Sequence, residues 1–365
     1  MLVAGRLAID EEIDAVRTDG PAGSRFAERK VRDVDERARR QVDAVDLVVR
    51  RRGAVRVFGD DHAASEAVTI ASLISLRSFA AKRIPVSHYS GPLLTRPTAE
   101  ALLAARDAGV TQWSGSLDLG VSTGIARLNA DDWDWQGIHY PFPQTLKDRT
   151  IHYWDGDEFT VVSRFSGSLI KLVPTEWGAP TFEIDGIKML PTSKESPFED
   201  ARRKVALIEP RSKSVLDTCG GLGYFAACSL EGGAAHIRSF EKNADVLWLR
   251  TLNPWSPDPD ALASGGRLAL EHADVSETIA GIADASMDAI LHDPPRFGIA
   301  GELYSQAFYD QMARVLRRHG RLFHYTGSPN RLTSGRDVPR EVSKRLEKAG
   351  FKAQLALDGV LATRR

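Results

Sequence analysis

Residues 214–226 read SVLDTCGGLGYFA. A short apolar strand-like run ends at Asp217, a turn holding Gly220, Gly221 and Gly223 follows, and an alanine-rich helical segment continues from Tyr224. A glycine cluster between a buried strand and a helix lets a ligand approach the backbone where any Cβ would obstruct it. Alone the pattern is weak, and its meaning depends on what stands downstream.

The chain around it keeps a rhythm of helix and strand. FEDARRKVALIEP and VLWLRTLNPW read as helices, HIRSFEKN, LALEHADV, MDAILHDPP and GRLFHYTG as strands, and GFKAQLALDGVLATRR as one or two closing strands. Such alternation predicts an α/β fold with a mainly parallel, doubly wound sheet covered by helices on both faces. In sheets of this type ligands bind beyond the carboxyl ends of the strands, near the point where strand order reverses. The first strand end carries Asp217 and the glycines, the second Glu241, the third Asp274, and the fourth His292-Asp293-Pro294-Pro295-Arg296.

Glu241 lies 24 residues beyond Asp217, an interval that suits hydrogen bonds to ribose hydroxyls. A nicotinamide dinucleotide would use both features, but it prefers G-x-G-x-x-G with pyrophosphate on an open helix N-terminus. Here the pattern is D-x-x-G-G-x-G, and the third strand end is acidic again. Acids at successive strand ends fit a phosphate-free ligand that presents hydroxyls, an adenine amine and an ammonium group. S-adenosylmethionine is such a ligand, and its sulfonium favours an acidic, aromatic-lined pocket.

SVLDTCGGLGYFA, FEKN, EHADV and ILHDPPRFGIAGELYSQAFYDQMARVLRRHGRLFHYTG together resemble class I S-adenosylmethionine-dependent methyltransferases. They are most similar to a group of predicted archaeal and bacterial methyltransferases whose fourth motif reads H-D-P-P-R-F, sometimes described as spermidine-synthase-like. SLDLGVSTGIARL and GAPTFEIDGIKMLPT extend the likeness, which covers about residues 113–365. The resemblance implies a Rossmann-like sheet of the class I type and S-adenosylmethionine as cofactor. Under it Asp217, Gly220, Gly221 and Gly223 would shape the methionine pocket, Glu241 would hold the ribose, and Asp274 the adenine end. Cys219, Tyr224, Lys242 and Val275 join them in the expected cofactor shell, and Asp293, Pro294 and Pro295 would border the reactive methyl. Cys219 stands where the broader class usually has glycine. Arg296 replaces the aromatic residue of enzymes that methylate exocyclic base amines, so a flipped base would lack its stacking partner.

Three residues are candidates for catalysis. Asp293, at a strand end beside two prolines, projects into the cleft and could take a proton from an amine or hydroxyl. Arg296 could clamp a substrate carboxylate or phosphate, or pair with Glu302 or Asp310. Tyr304 is the expected substrate contact, whereas Tyr309 packs and His292 turns inward. Trp255 could cover an adenine face or simply be buried. Methyl transfer needs alignment more than chemistry from the protein, and neither a metal nor a cysteine nucleophile is called for. Attack at another carbon of the sulfonium, with release of methylthioadenosine, stays open as the alternative. A binding module with a degenerate pocket is the non-enzymatic one.

The rest of the chain sets the domain plan: residues 1–112 as an N-terminal helical and α/β module, 113–195 as a small antiparallel β subdomain, and 196–365 as the cofactor-binding domain. Residues 26–52 alternate charge at helical spacing and end in Arg50-Arg51-Arg52, 54–58 read as a strand, and Asp60-Asp61-His62 follow it. The module could mediate homodimerisation, with its apolar helix LISLRSFAA as the contact. Between 113 and 192 short period-2 runs alternate with Gly, Asp and Asn turns, and five of the seven tryptophans fall there, as core or as a stacking wall for a base.

With 365 residues the chain exceeds a single core. Its 48 basic and 49 acidic residues provide no global field for nucleic acid. The short basic runs ARRK (201–204) and RVLRRHGR (314–321) fit solvated helix faces or termini. A small amine- or carboxylate-bearing substrate is therefore favoured, with RNA as the alternative. Cys219 and Cys228 as the two cysteines argue for a reducing compartment. The N-terminus turns acidic too early for a secretory signal, and no apolar run approaches ~18 residues, so neither export nor a membrane is expected and the cytoplasm is.

Overall fold

The computed structural model describes residues 88–261, 264–327 and 337–365. The expectations for residues 26–52, 54–58, Asp60-Asp61-His62 and LISLRSFAA, and for dimerisation through them, lie outside the described residues.

Seven strands form the large sheet: β1 (Ser214–Asp217), β2 (His236–Glu241), β3 (Leu268–His272), β4 (Met287–His292), β5 (Leu316–Tyr325), β6 (Phe351–Ala356) and β7 (Gly359–Arg364). Their spatial order is β3-β2-β1-β4-β5-β7-β6. The first five run parallel, and β7 enters antiparallel to both neighbours. This is the mixed, doubly wound, Rossmann-like sheet of the class I type. The central strands read as continuous apolar runs because both faces are covered: Val215, Leu216, Ala289, Ile290 and Leu291 are all buried.

The helices are α1 (Pro197–Ile208), α2 (Tyr224–Glu231), α3 (Ala244–Leu252), α4 (Gln306–Val315) and α5 (Val338–Lys348). Local chemistry sets their ends. Ser196 caps α1 by accepting from Phe198 N, with Pro197 in the first turn where no amide is needed. Asn243 caps α3 by accepting from Asp245 N at 2.9 Å. The run RVLRRHGR is not a helix face throughout: α4 stops at Val315 and β5 starts at Leu316, so Arg317 to Arg321 lie on a strand.

One sheet face packs Val215, Phe225, Leu249 and Leu291 with Phe182, Ile170 and Leu172 of the antiparallel region. The other packs Leu216, Ile290, Tyr309, Met312 and Val360. The antiparallel region holds two four-stranded sheets, spanning 112–141 and 163–188, and a three-stranded sheet in which Leu93–Leu94 pairs with His152–Trp154. Trp133 and Trp135 are buried there with Tyr140, and the rings of Trp133 and Tyr140 lie 5.0 Å apart. These two tryptophans fill a core, and Trp113 and Trp154 pack half-buried against it. Among the described residues no helix is long and apolar enough to cross a membrane.

Candidate active site

Strand order reverses on either side of β1, which pairs with β2 through Asp217–Ser239 and with β4 through Asp217–Leu291. The glycine turn after β1 and the D-P-P-R segment after β4 therefore leave the sheet side by side. A cavity of about 170 Å³ opens there, walled by Gly220, Gly221, Tyr224 and Glu241 from the first two strand ends and by Asp293, Pro294, Arg296 and Tyr304 from the segment after β4. Cys219 and Pro295 also reach it, as do Phe182 and Met189 from the antiparallel region.

Each glycine of the turn answers a specific demand. Gly221 and Gly223 have φ of +49° and +83°, which an L side chain adopts only under strain. A Cβ on Gly220 would stand 2.6 Å from Ser239 Oγ, and one on Gly223 2.5 Å from Arg250 Nη2. The cradle is thus open above and filled below. Glu241 closes its rim: Oε2 accepts from Gly221 N at 2.9 Å and Oε1 from Asn243 N at 2.8 Å. Burial raises the Glu241 carboxyl, while these two amides oppose the rise.

Asp217 is fully buried beneath the turn and does not reach the cavity wall. Its Oδ2 accepts from Ser239 Oγ at 2.8 Å, and its Oδ1 has no hydrogen-bond partner. Burial lifts this carboxyl to about 6. Asp274, Lys242 and Val275 also stand off the cavity. Asp274 caps the short turn Val275–Thr278, accepting from Ser276 N at 2.9 Å, and meets Lys242 Nζ at 3.4 Å. Against the pull of partial burial, Ser276 and then Lys242 hold its carboxyl below the ordinary range.

The Asp293 carboxylate borders the cavity, and burial pushes it up to about 7. The cation that opposes this shift is Lys204, which α1 turns inward. Lys204 is 1% exposed, so the solvated face expected for ARRK does not hold at this residue. Its Nζ donates to Asp200 Oδ2 at 2.7 Å, meets Asp358 Oδ2 at 3.4 Å and lies 4.1 Å from the ring centroid of Tyr325. Burial works against the Lys204 charge, but Asp293, Asp200 and Asp358 together hold its pKa above the ordinary value. Asp200 and Tyr325 line the same cavity, and Asp200 and Asp358 act on Asp293 with one cation, Lys204, among them, so the surroundings of Asp293 are acidic overall.

Arg296 is exposed at the mouth and forms no ion pair with Glu302 or Asp310. Tyr304 is buried and donates its hydroxyl to Pro295 O at 3.1 Å, bracing the D-P-P segment. Tyr309 packs, with its hydroxyl 3.0 Å from His324 Nε2. His292 is inside, between Thr218 Oγ1 at 2.7 Å and Leu303 O at 3.1 Å. Trp255 does not reach the cavity; its indole donates to Leu119 O at 3.0 Å and its ring meets Phe198. Burial raises both thiols, Cys228 to about 12, so neither is poised as a thiolate nucleophile.

Sequence reasoning missed Asp200, Lys204, Arg250 and Asp358. A signal existed for two of them. Lys204 falls at i+3 from Ala201 and Arg250 at i+4 from Val246, each on the buried stripe of its helix.

No family model matches the chain. It is 41% identical over 198 residues to an uncharacterised protein of Methanocaldococcus jannaschii, a match covering 54% of this chain and 66% of that protein, just under two thirds of its length. Among solved structures it is similar to spermidine synthase from Thermotoga maritima, with 16% identity and a TM-score of 0.43 over 61% of this chain and 81% of that one. It is also similar to TYW2 of M. jannaschii in complex with AdoMet, with 13% identity and a TM-score of 0.34 over 56% and 89% of the two chains. A third likeness is to a putative S-adenosylmethionine-dependent methyltransferase from Listeria monocytogenes, with 13% identity and a TM-score of 0.35 over 46% of this chain and 99% of that one.

Proposed function

We propose that the protein is an S-adenosylmethionine-dependent transferase that methylates a small amine-bearing metabolite by in-line displacement. The observation that carries this reading is one cavity lined by the glycine turn, Glu241 and the Asp293 carboxylate together. The residues fit the cofactor: Gly221 puts no Cβ on the side of the turn that faces Phe182 of the cavity wall, and Glu241 lines the same cavity as an acceptor for ribose hydroxyls. Bound there, the cofactor supplies a methyl activated on a sulfonium.

The chain's own groups then do three things. Gly220, Gly221 and Glu241 bind and orient the methionine and ribose portions. Tyr304 and the prolines hold the Asp293 loop in place and narrow the space open to water. Asp293, lifted to about 7, takes the proton that the nucleophile releases. Asp200 and Asp358 add negative charge beside it, which favours a cationic amine over a carboxylate as the incoming group. Arg296 at the mouth is left to hold an anionic substituent, where the substrate has one.

The same acids favour a second reading, in which the amine attacks another carbon of the sulfonium. Incubating the purified protein with S-adenosylmethionine and a cell extract, then identifying the released nucleoside by mass spectrometry, separates the two. S-adenosylhomocysteine supports methyl transfer, whereas methylthioadenosine overturns it in favour of alkyl transfer or cyclisation. Binding of bulk RNA that weakens steeply with salt would replace the small substrate by a polynucleotide.

A further inference from the structure

Beneath the glycine turn lies a guanidinium that the proposed reaction does not use. Arg250, in the last turn of α3, is 1% exposed, and Nε, Nη1 and Nη2 all lack hydrogen-bond partners. A buried arginine without a partner is costly, and it persists only where neighbouring charge offsets the lost hydration. Gly220 and Gly223 lie directly over it: built Cβ atoms there would stand 3.1 Å from Nη1 and 2.5 Å from Nη2. The guanidinium is therefore pressed against the underside of the cradle, and the turn is glycine partly because Arg250 occupies the space below.

The groups facing it come from several elements. Asp217 on β1 and Glu241 on β2 both act on its charge. His88 lies within its field, together with Asp258. Cys219 interacts with Asp217 and Glu241 within the turn, Asp293 with Asp217, and Lys242 with Glu241. Arg250 is the buried cation of this set. Asp217 is held on one oxygen by Ser239, and its other oxygen, like the guanidinium, has no hydrogen-bond partner, so the two charges share one interior and act on each other electrostatically.

We propose that Arg250 is a positioning residue of the cofactor site, keeping Asp217 and Glu241 charged and the glycine cradle in shape from below. The link to cofactor rests on the function proposed above; the coupling of Arg250 to Asp217 does not. Glu241 in the cavity wall then presents a full negative charge to ribose, and Asp217 contributes its charge through the turn. Loss of the cation favours the protonated acids and weakens the site as pH falls.

The deciding experiment is a double-mutant cycle on the cofactor-free protein at pH 8, read as thermal unfolding of wild type, Asp217→Asn, Arg250→Met and the double variant. The expected result is that Asp217→Asn lowers the melting temperature in wild type, because Arg250 loses its counter-charge. In the Arg250→Met background the same change should raise it by roughly 2 °C or more. An equal cost in both backgrounds overturns the proposal and leaves Arg250 as packing alone. Where Arg250→Met is too unstable to measure, Arg250→Lys and Arg250→Gln replace it: the lysine should keep the coupling and the glutamine lose it, and equal coupling in both counts against the proposal. The second readout is S-adenosylmethionine affinity against pH by calorimetry. In wild type it should fall as pH drops through about 6, and in Arg250→Met the fall should begin at least one pH unit higher, with Arg250→Lys restoring most of the profile. A wild type that binds no S-adenosylmethionine sinks the proposed function, while the cycle still decides the role of Arg250.

Discussion

Lys204 donates to Asp200 at 2.7 Å across one turn of α1, a pair buried on both sides whose carboxylate, Asp200, lines the cavity. Asp358 approaches the same ammonium at 3.4 Å from the turn between β6 and β7, and Asp293 acts on it from the end of β4. Helix α1, before the first strand, is thereby tied to the last hairpin and to the loop proposed to carry the base.

Lys204→Met should destabilise the protein by about 3–5 kcal/mol, because it leaves buried carboxylates without their cation. Asp200→Asn added to Lys204→Met should recover part of that loss. Denaturant unfolding of the two variants checks this, and a loss under 1 kcal/mol for Lys204→Met would show that the cluster is better hydrated than its burial indicates.

Asp293→Asn should lower turnover by roughly 10²–10⁴-fold while S-adenosylmethionine affinity changes less than on loss of Glu241, to which the ribose contact is assigned. A base must be deprotonated to act, so wild-type kcat/KM should rise with pH and level off above about 7. A rate flat from pH 5.5 to 8 would remove Asp293 from the role of base.

The two raised carboxyls also set a stability trend. Asp217 and Asp293 bind protons more tightly folded than unfolded, at about 6 and about 7 against an ordinary value near 3.8. The folded state thus holds the extra protons between roughly pH 4 and 7, and their contribution to stability is lost as pH rises through that window. Asp293→Asn should flatten the upper part of the profile. Unfolding free energies at pH 5, 6, 7 and 8 give the comparison, and an unchanged slope would contradict the buried setting of this acid.

Two glycine substitutions should separate conformation from contact. At Gly221 an added Cβ meets nothing nearer than 3.8 Å, so Gly221→Ala should cost about 1–2 kcal/mol from its positive φ alone. Gly223→Ala carries the same conformational cost and adds contacts of 2.5 Å to Arg250 and 2.9 Å to Pro257. It should be clearly the more damaging of the two in thermal unfolding, and equal effects would mean that Arg250 yields readily.

Glu241→Gln keeps an acceptor for Gly221 N or Asn243 N but loses the charge offered to ribose. Charge-assisted hydrogen bonds are worth about 1.5–3 kcal/mol, so S-adenosylmethionine affinity should fall roughly 10- to 100-fold in a calorimetric titration. Undiminished affinity would place the ribose elsewhere.

The sequence by itself determined the doubly wound sheet, the cleft at its strand ends and the character of the glycine turn. Those signals are local: buried strands read as apolar runs, and of the four acids at their carboxyl ends the topology brings Glu241 and Asp293 to one cavity, while Asp217 and Asp274 stay off it. The closing segment likewise showed its two strands, although only the tertiary structure gave β7 its place between β5 and β6. What the sequence left undecided were the charges inside. Lys204 and Arg250 fall on the apolar stripes of their helices without showing which acids would meet them there, and Asp358 looks like a turn residue before Gly359. Burying a charge is tolerable only when opposite charges converge on it. Here those partners come from strand ends and turns far apart in the chain, so the packing of α1, α3 and the last hairpin against the sheet decided that these three residues would line or underpin the site.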